Sequence, residues 1–502
     1  MSYRVPDATA RSISLGALSK IRSSTAPGGT INSISHARRA RLSFLAALTA
    51  GVVVLPTSGL ASAADGAEQL QAHTFMLAPS APVPSLEQLK AAGGARLLEA
   101  DSQPEAPTTP LEVVGPAASY GVKATTPAAV APARTGLATS FMSPAAVSYP
   151  EPARAVTLEE CKRNLAGASQ VFVKSRFAVC TGLKVTTVWE KQNGAVGTSS
   201  YTVYVRGTVP READRTIYFD YNVTDFTAVG STGVSGLRTG LKGDVAQDWP
   251  AAATPVVGKT LPVTRTWLEM QSNGHYTHTV RYAPGQGTGA GAADLIAAVY
   301  QPAVTSTLPA GWVGESPKTG KPFMFAPRWD AASYLRNSTG AGNPANKGGA
   351  AFSMIASLEY SSKAGAPEKA VAEHIQQAFT NPTATKPLNA LKNVPGDTIQ
   401  VHRLFLDTKR HDRNRAVAVR ECKRYWGANY TDGGKECDEF PFASTYQGSA
   451  VEEYDPHVEK NNFSVQPVPG AENGAAGTLL RGFYNNNRII DGLEDGFIVK
   501  IT

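Results

Sequence analysis

The stretch Cys437-Asp438-Glu439-Phe440-Pro441-Phe442-Ala443-Ser444-Thr445 sets two adjacent carboxylates between a cysteine and an aromatic-proline pair. On a regular strand neighbouring side chains face opposite ways, so Asp438 and Glu439 serve one site only if the backbone turns or bulges there. Pro441, which cannot donate to a strand ladder, allows such a departure. Charge is segregated around the stretch. Arg403, Lys409, Arg410, Arg413, Arg415, Arg420, Lys423 and Arg424 are opposed only by Asp407, Asp412 and Glu421, a local balance of about +5. From residue 432 the sign reverses, with Asp432, Glu436, Asp438, Glu439, Glu452, Glu453 and Asp455. Charge alone reads as a solvated basic helix beside an acidic loop. It also meets the needs of phosphodiester hydrolysis, in which cations hold a backbone phosphate and carboxylates hold a divalent metal that polarises it.

Outward from this stretch, residues 346–502 alternate helical and extended patterns. Residues 351–360 read as a strand leading to a helix that starts at Pro367, carries Val371, Ile375, Ala378 and Phe379 on one face and ends at Asn381-Pro382. Residues 398–404 are a second strand. Phe463-Ser464-Val465-Gln466 is a third, followed by Glu472-Asn473-Gly474 and a helix over 475–484 with Leu479, Leu480 and Phe483 as its apolar stripe. Asn473 at that start reads either as an ordinary N-cap or as a ligand.

Residues 156–345 form an all-β, sandwich-like domain by pattern: alternating runs at 170–179, 200–206, 215–223 and 278–282 are punctuated by Gly, Pro, Asn and Asp. His275 and His278, three apart on a strand, face opposite sides and make no metal pair. Residues 64–155 are rich in Ala, Pro, Ser and Thr, with twelve prolines between 79 and 152, so a disordered spacer or propeptide is expected apart from a short helix near 85–98. Residues 1–63 read as a signal peptide: Arg38, Arg39 and Arg41, an apolar run over 42–55 too short to span a bilayer, and Ala61-Ser62-Ala63 as the cleavage pattern. A secreted, extracellular protein with no transmembrane segment in its mature chain is expected. Subtracting the +6 of residues 1–63 from the formal +7 leaves about +1, so net charge identifies no partner. Cys161 with Cys180, and Cys422 with Cys437, are spaced by 18 and 14 residues and are expected to form two local disulfides in an oxidising compartment. In the chain-entropy model a loop of about 15 residues gives ~3 kcal/mol.

The motif Cys437 to Thr445, the upstream Asp412-Arg413-Asn414-Arg415, the downstream Glu472-Asn473-Gly474-Ala475-Ala476-Gly477 and the closing Asp495 to Ile501 together resemble the NucA/NucB extracellular deoxyribonucleases, over residues 350 to 502. The resemblance implies an α+β nuclease domain with a ββα metal-finger-like core. It implies a nonspecific endonuclease that cuts DNA through backbone contacts and needs Mg²⁺ or Mn²⁺. Asp438 would be the general base, Glu439 a metal ligand or its orienter, with these roles exchangeable. Asn473 would be a metal ligand, Arg415 would hold the phosphate, and Arg413 and Arg410 would contact DNA. Gln447 and Ser449 depart from the family pattern. An Asp base implies activity that survives mild acid, whereas a collapse below about pH 6.5 points to His402, His411 or His457. Two competing readings are an exported wall- or carbohydrate-binding protein with a silent nuclease-like domain, and a hydrolase seated in the β-rich domain.

Overall fold

In Thr216–Gly230 the side chains of Ile217, Phe219, Tyr221 and Val223 are buried and those between them are not, the period-2 signature of a strand with one face inward. The computed structural model describes residues 69–99, 147–167, 170–192, 194–211, 215–335 and 348–502. The signal sequence read at 1–63 and most of the spacer lie outside them. Among the described residues no helix is long and apolar enough to cross a membrane.

Two antiparallel sheets make the β-rich part. The first runs Gln71–Leu77, Ala178–Lys191, Gly194–Thr208, Thr216–Gly230, His275–Arg281 and Val256–Val257, with Val171–Ser175 paired to Ala178–Lys191. The second runs Gly349–Phe352, Pro327–Asp330, Leu295–Thr307, Arg238–Trp249 and Val263–Thr266, with Lys318–Gly320 paired to Leu295–Thr307. They enclose one core, in which Phe219 of the first sheet stacks on Tyr300 of the second at 3.6 Å. His278 is buried against the Tyr300 hydroxyl while His275 is exposed, as their spacing requires. Cys161–Cys180 and Cys422–Cys437 are both disulfides, and among the described residues no cysteine is left over.

The structure corrects two expectations. Residues 69–84 and 147–155, assigned to a disordered spacer, are built into the fold, and the short helix expected near 85–98 is present. Gln71–Leu77 pairs along its whole length with Ala178–Lys191, burying Phe75, Met76 and Leu77. Ser85 then caps a helix at Leu86–Ala91, and Tyr149 packs on Phe483 and donates to the Ser357 carbonyl at 2.9 Å. The apolar run of residues 71–77 is too short to stand out against the Ala/Pro background and finds its partners only across the sheet. The single strand expected over 351–360 is two, Gly349–Phe352 and Ala356–Tyr360, in different sheets.

The C-terminal elements are β1 (Ala356–Tyr360), α1 (Lys369–Thr380), β2 (Val401–His402), α2 (Thr408–Trp426), β3 (Lys435–Phe440), α3 (Val451–Tyr454), β4 (Ser464–Pro469), α4 (Gly470–Asn486) and β5 (Gly496–Ile501). A three-stranded sheet has the order β1-β5-β2, with β5 parallel to β1 and antiparallel to β2. β3 and β4 form a separate antiparallel pair that leads directly into α4.

A buried ion network joins this α/β part to the β-rich part. Arg176 and Arg328 of the β-rich part donate to the two carboxylate oxygens of Asp495 at 2.5 and 2.7 Å. Arg488 clamps Asp330 through Nε and Nη2 at 2.7 and 2.6 Å. Burial alone would push the Asp495 carboxyl up, but Arg176 and Arg328 outweigh it and hold it below the usual carboxylate range. The stability this contributes is present above the ordinary Asp value near 4 and is lost as pH falls through the lower folded value. Removing one member of a buried charge network costs roughly 3–5 kcal/mol. Asp495→Asn is therefore expected to lower the urea midpoint of the full chain by that equivalent at neutral pH, and an unchanged midpoint would contradict it.

Candidate active site

From Cys437 to Phe440 β3 is buried on both faces, whereas Lys435 and Glu436 at its start are exposed. Glu436, Asp438 and Phe440 share the face that meets α1 and α4, where Phe440 joins Val371, Ile375 and Phe483 in the main C-terminal core. Cys437 and Glu439 share the face that meets α2, where Cys437, Cys422, Val417 and Val465 form a second, smaller core. Charged residues inside such a sandwich need partners, and each carboxylate has one.

On the first face, His374 of α1 is 1 % exposed and lies between Asp438 Oδ2 at 2.6 Å and Ser464 Oγ at 2.7 Å. An ionised carboxylate only accepts, so Nδ1 carries the hydrogen toward Asp438. On the second face, Nη1 of Arg415 donates to the Cys437 carbonyl at 2.7 Å and to Glu439 Oε2. Burial pushes the Glu439 carboxyl up to about 7 despite Arg415, and the neighbouring Asp438 charge adds to the rise.

Asp438 and Glu439 nevertheless line one cleft, of about 240 Å³, together with Arg415, His411, Asn473 and Tyr360. No bulge brings them together, contrary to expectation: the β3–β4 register is unbroken from Lys435↔Pro469 to Phe440↔Ser464. Among the described residues the other edge of β3 has no strand partner, and residues from both faces of the strand line the same cleft. Asn473 is not an N-cap. α4 starts at Gly470, which puts Asn473 one turn inside, and its Nδ2 donates to Glu436 Oε2 at 2.8 Å. Glu472 beside it accepts the Ala370 amide at 2.6 Å, tying α4 to the first turn of α1.

Two of the expected DNA contacts do not line this cleft. Arg413 makes a two-pronged pair with Glu453 at 2.7 Å on both arms, and Arg410 donates to the Tyr446 carbonyl while lying over the Tyr446 and Tyr454 rings. Asn414 between Arg413 and Arg415 is fully buried and holds the loop after β3, through the carbonyls of Ala443 and Thr445 and the amide of Ala450. Gln447 bonds the backbone and ring of His402, which is half-buried and does not line the cleft. Of His402, His411 and His457, His411 alone borders it. Among the described residues there is no cluster of three His, Cys, Asp or Glu side chains placed to hold a metal.

Residues 401–499 match the family model of the deoxyribonucleases NucA/NucB. No curated protein and no solved structure matches the chain. The NucA/NucB match runs from β2 to within β5 and takes in Asp438, Glu439, Arg415 and Asn473. His374 lies outside it. The sequence signal for His374 was its place in the apolar stripe of α1, three residues after Val371 and next to Ile375, where a polar side chain needs a buried partner.

For a carboxyl raised in the folded state, the associated stability is present below its unfolded value and lost as pH rises through the folded one. In EDTA, the native chain is expected to lose up to about 3 kcal/mol relative to Glu439→Gln between pH 4.5 and 7. Urea titrations of both proteins across that range check it, and parallel pH dependences would contradict it.

Proposed function

We propose that the chain is a secreted, metal-dependent endonuclease that hydrolyses DNA phosphodiester bonds, with its centre at Asp438, Glu439, Asn473 and Arg415. The observation that carries this reading is the convergence of Asp438, Glu439, Arg415 and Asn473 on one cleft inside the span that matches a deoxyribonuclease family. The β3–β4 pair running directly into α4 supports a ββα metal-finger core. Two disulfides suit an oxidising compartment.

The donor set suits a hard cation. Glu439 and the Asn473 amide offer oxygen, and Mg²⁺ is commonly held by only one or two carboxylates with substrate phosphates completing the shell. Burial raises the Glu439 carboxyl to about 7 despite Arg415, and a divalent cation beside it would offset the charge that Arg415 leaves uncompensated. When bound, Mg²⁺ or Mn²⁺ supplies Lewis-acid polarisation of the phosphate. The chain's own residues do the rest. His374 occupies Oδ2 of Asp438, and Oδ1, which has no protein hydrogen bond among the described residues, takes the proton of the attacking water. Arg415 spends Nη1 on β3 and is 42 % exposed along its side chain, so its remaining N–H groups can fork onto a phosphate. No observation favours a binding protein with a silent nuclease domain.

In a plasmid-nicking assay with Mg²⁺, the full chain is expected to cut and EDTA to stop it. Asp438→Asn, which preserves the shape needed by His374, and Asn473→Ala should each lose at least about 100-fold in kcat. His374→Ala should lose about tenfold in kcat, with KM for DNA little changed. Full activity in Asp438→Asn or Asn473→Ala would put the site elsewhere.

Protons and the cation compete for Glu439. Activity is therefore expected to fall as pH drops below about 7, earlier than an Asp base alone implies, and to recover when Mg²⁺ is raised. A fall that extra Mg²⁺ does not reverse would assign the titration to a histidine, either His411 in the cleft lining or His374 on Asp438.

A further inference from the structure

The catalytic cleft continues into a second hollow of about 390 Å³. His411, Ser444, Gly477 and Leu480 line both. Gly477 places no side chain among these shared residues, and a Cβ built there would meet nothing within 4 Å.

Phe405 in the lining of this hollow is part of an aromatic shelf built by both parts of the chain. Phe405 follows β2 and is 42 % exposed. It stacks on Tyr334 of the β-rich part, with ring centroids 4.3 Å apart and planes inclined at 26°. Tyr334 is fixed by the Asp491 amide, which donates to its hydroxyl at 2.7 Å. The amides of Phe405 and Leu406 both donate to Asp491 Oδ1, at 2.6 and 3.1 Å. The buried guanidinium of Arg403 lies 5.2, 4.8 and 4.6 Å from the ring centroids of Tyr334, Phe405 and Tyr484, and donates to the Ile489 carbonyl at 2.8 Å. The exposed ring is therefore held rigid from beneath, at no ordering cost to an incoming ligand. Arg481 on α4 lines the same hollow, is exposed and has no carboxylate partner among the described residues.

We infer that this hollow is a nucleotide subsite, resting on the nuclease reading above: the base beside the scissile phosphate stacks on Phe405 and the next phosphate is held by Arg481. A ring face next to an unpaired arginine matches the two recurring parts of a single-strand site, since every base has a π-face and every nucleotide a phosphate. A base inside a duplex has both faces covered. The shelf therefore serves single-stranded or frayed segments, and it reads no sequence.

The test uses the full chain on a labelled single-stranded oligodeoxynucleotide and on its duplex. Phe405→Leu keeps an apolar side chain but loses the ring. It is expected to raise KM for the single strand by about tenfold, with kcat and the duplex KM near native, while Phe405→Trp restores the single-strand KM. Arg481→Ala should raise the same KM and flatten its salt dependence. A native KM in Phe405→Leu, or equal losses on strand and duplex, would overturn the subsite and leave the nuclease reading intact. If the native chain cuts neither substrate, the nuclease reading fails. Fluorescence anisotropy of the same oligonucleotide then decides the subsite: weaker binding by Phe405→Leu supports it, and equal or absent binding overturns it.

Discussion

Two ionisable carboxyl groups at consecutive positions of one strand, each buried on a different face, are the constraint the α/β part is built to satisfy. An ionised group removed from water costs several kcal/mol unless it is paired and hydrogen-bonded. β3 therefore has to be flanked by a helix on each side, and each helix has to present a matching group at the right height. α1 presents His374 to Asp438, and α2 presents Arg415 to Glu439. The fixings around these contacts follow from that need. Cys422–Cys437 ties α2 to β3, Glu472 ties α4 to α1, and Asn414 ties α2 to the loop that leaves β3. None of the three touches the proposed chemistry, yet each sets the position of a group that does. The two carboxylates are not equivalent either. Asp438 is bonded by His374, whereas burial raises the Glu439 carboxyl despite Arg415, and the proposed division of roles between them rests on that difference.

Much of this was written in the local pattern and some of it was not. Period-2 alternation located the strands of the β-rich part because one face of each is buried in a common core. Cysteine spacing indicated both disulfides, because each pair lies within a short loop. The apolar stripe of α1 was clear over Val371, Ile375 and Ala378. His374 in that stripe looked like any core histidine, because the carboxylate it serves is 64 positions further on and no local period links them. Asp438 and Glu439 seemed to need a bulge because alternation is visible in sequence and a free strand edge is not.

The arginines of α2 carry a stronger local signal than their charge. At 3.6 residues per turn, a helical position advances about 100° per residue. If Cys422 marks the face of α2 that meets β3, Arg415, seven residues earlier, and His411, eleven earlier, lie within about 20° of it. Arg413 falls about 180° away and Arg410 about 120°. Helical geometry and the disulfide are thus enough to select Arg415 over Arg413 and Arg410, and the observed partners of Arg413 and Arg410 on Glu453 and Tyr446 agree.

The β-rich part is tied into the same scheme by charge. Arg176, Arg328 and Asp330 are at most 3 % exposed, and the groups that neutralise them, Asp495 and Arg488, belong to the α/β part. A surface designed to dock and release would leave such charges solvated in its free state, whereas a buried network of this kind is tolerable only if it is always complete. Asp495 immediately precedes β5, the central strand of the three-stranded sheet, and accepts the Ile490 amide at 2.9 Å. The segment 487–495 that follows α4 therefore takes its shape from arginines of the β-rich part. The same segment supplies Asp491, which fixes both Phe405 and Tyr334 beside the cleft. The β-rich part is thus joined to the α/β part through buried charge, and the contacts that hold Phe405 and Tyr334 come from both parts.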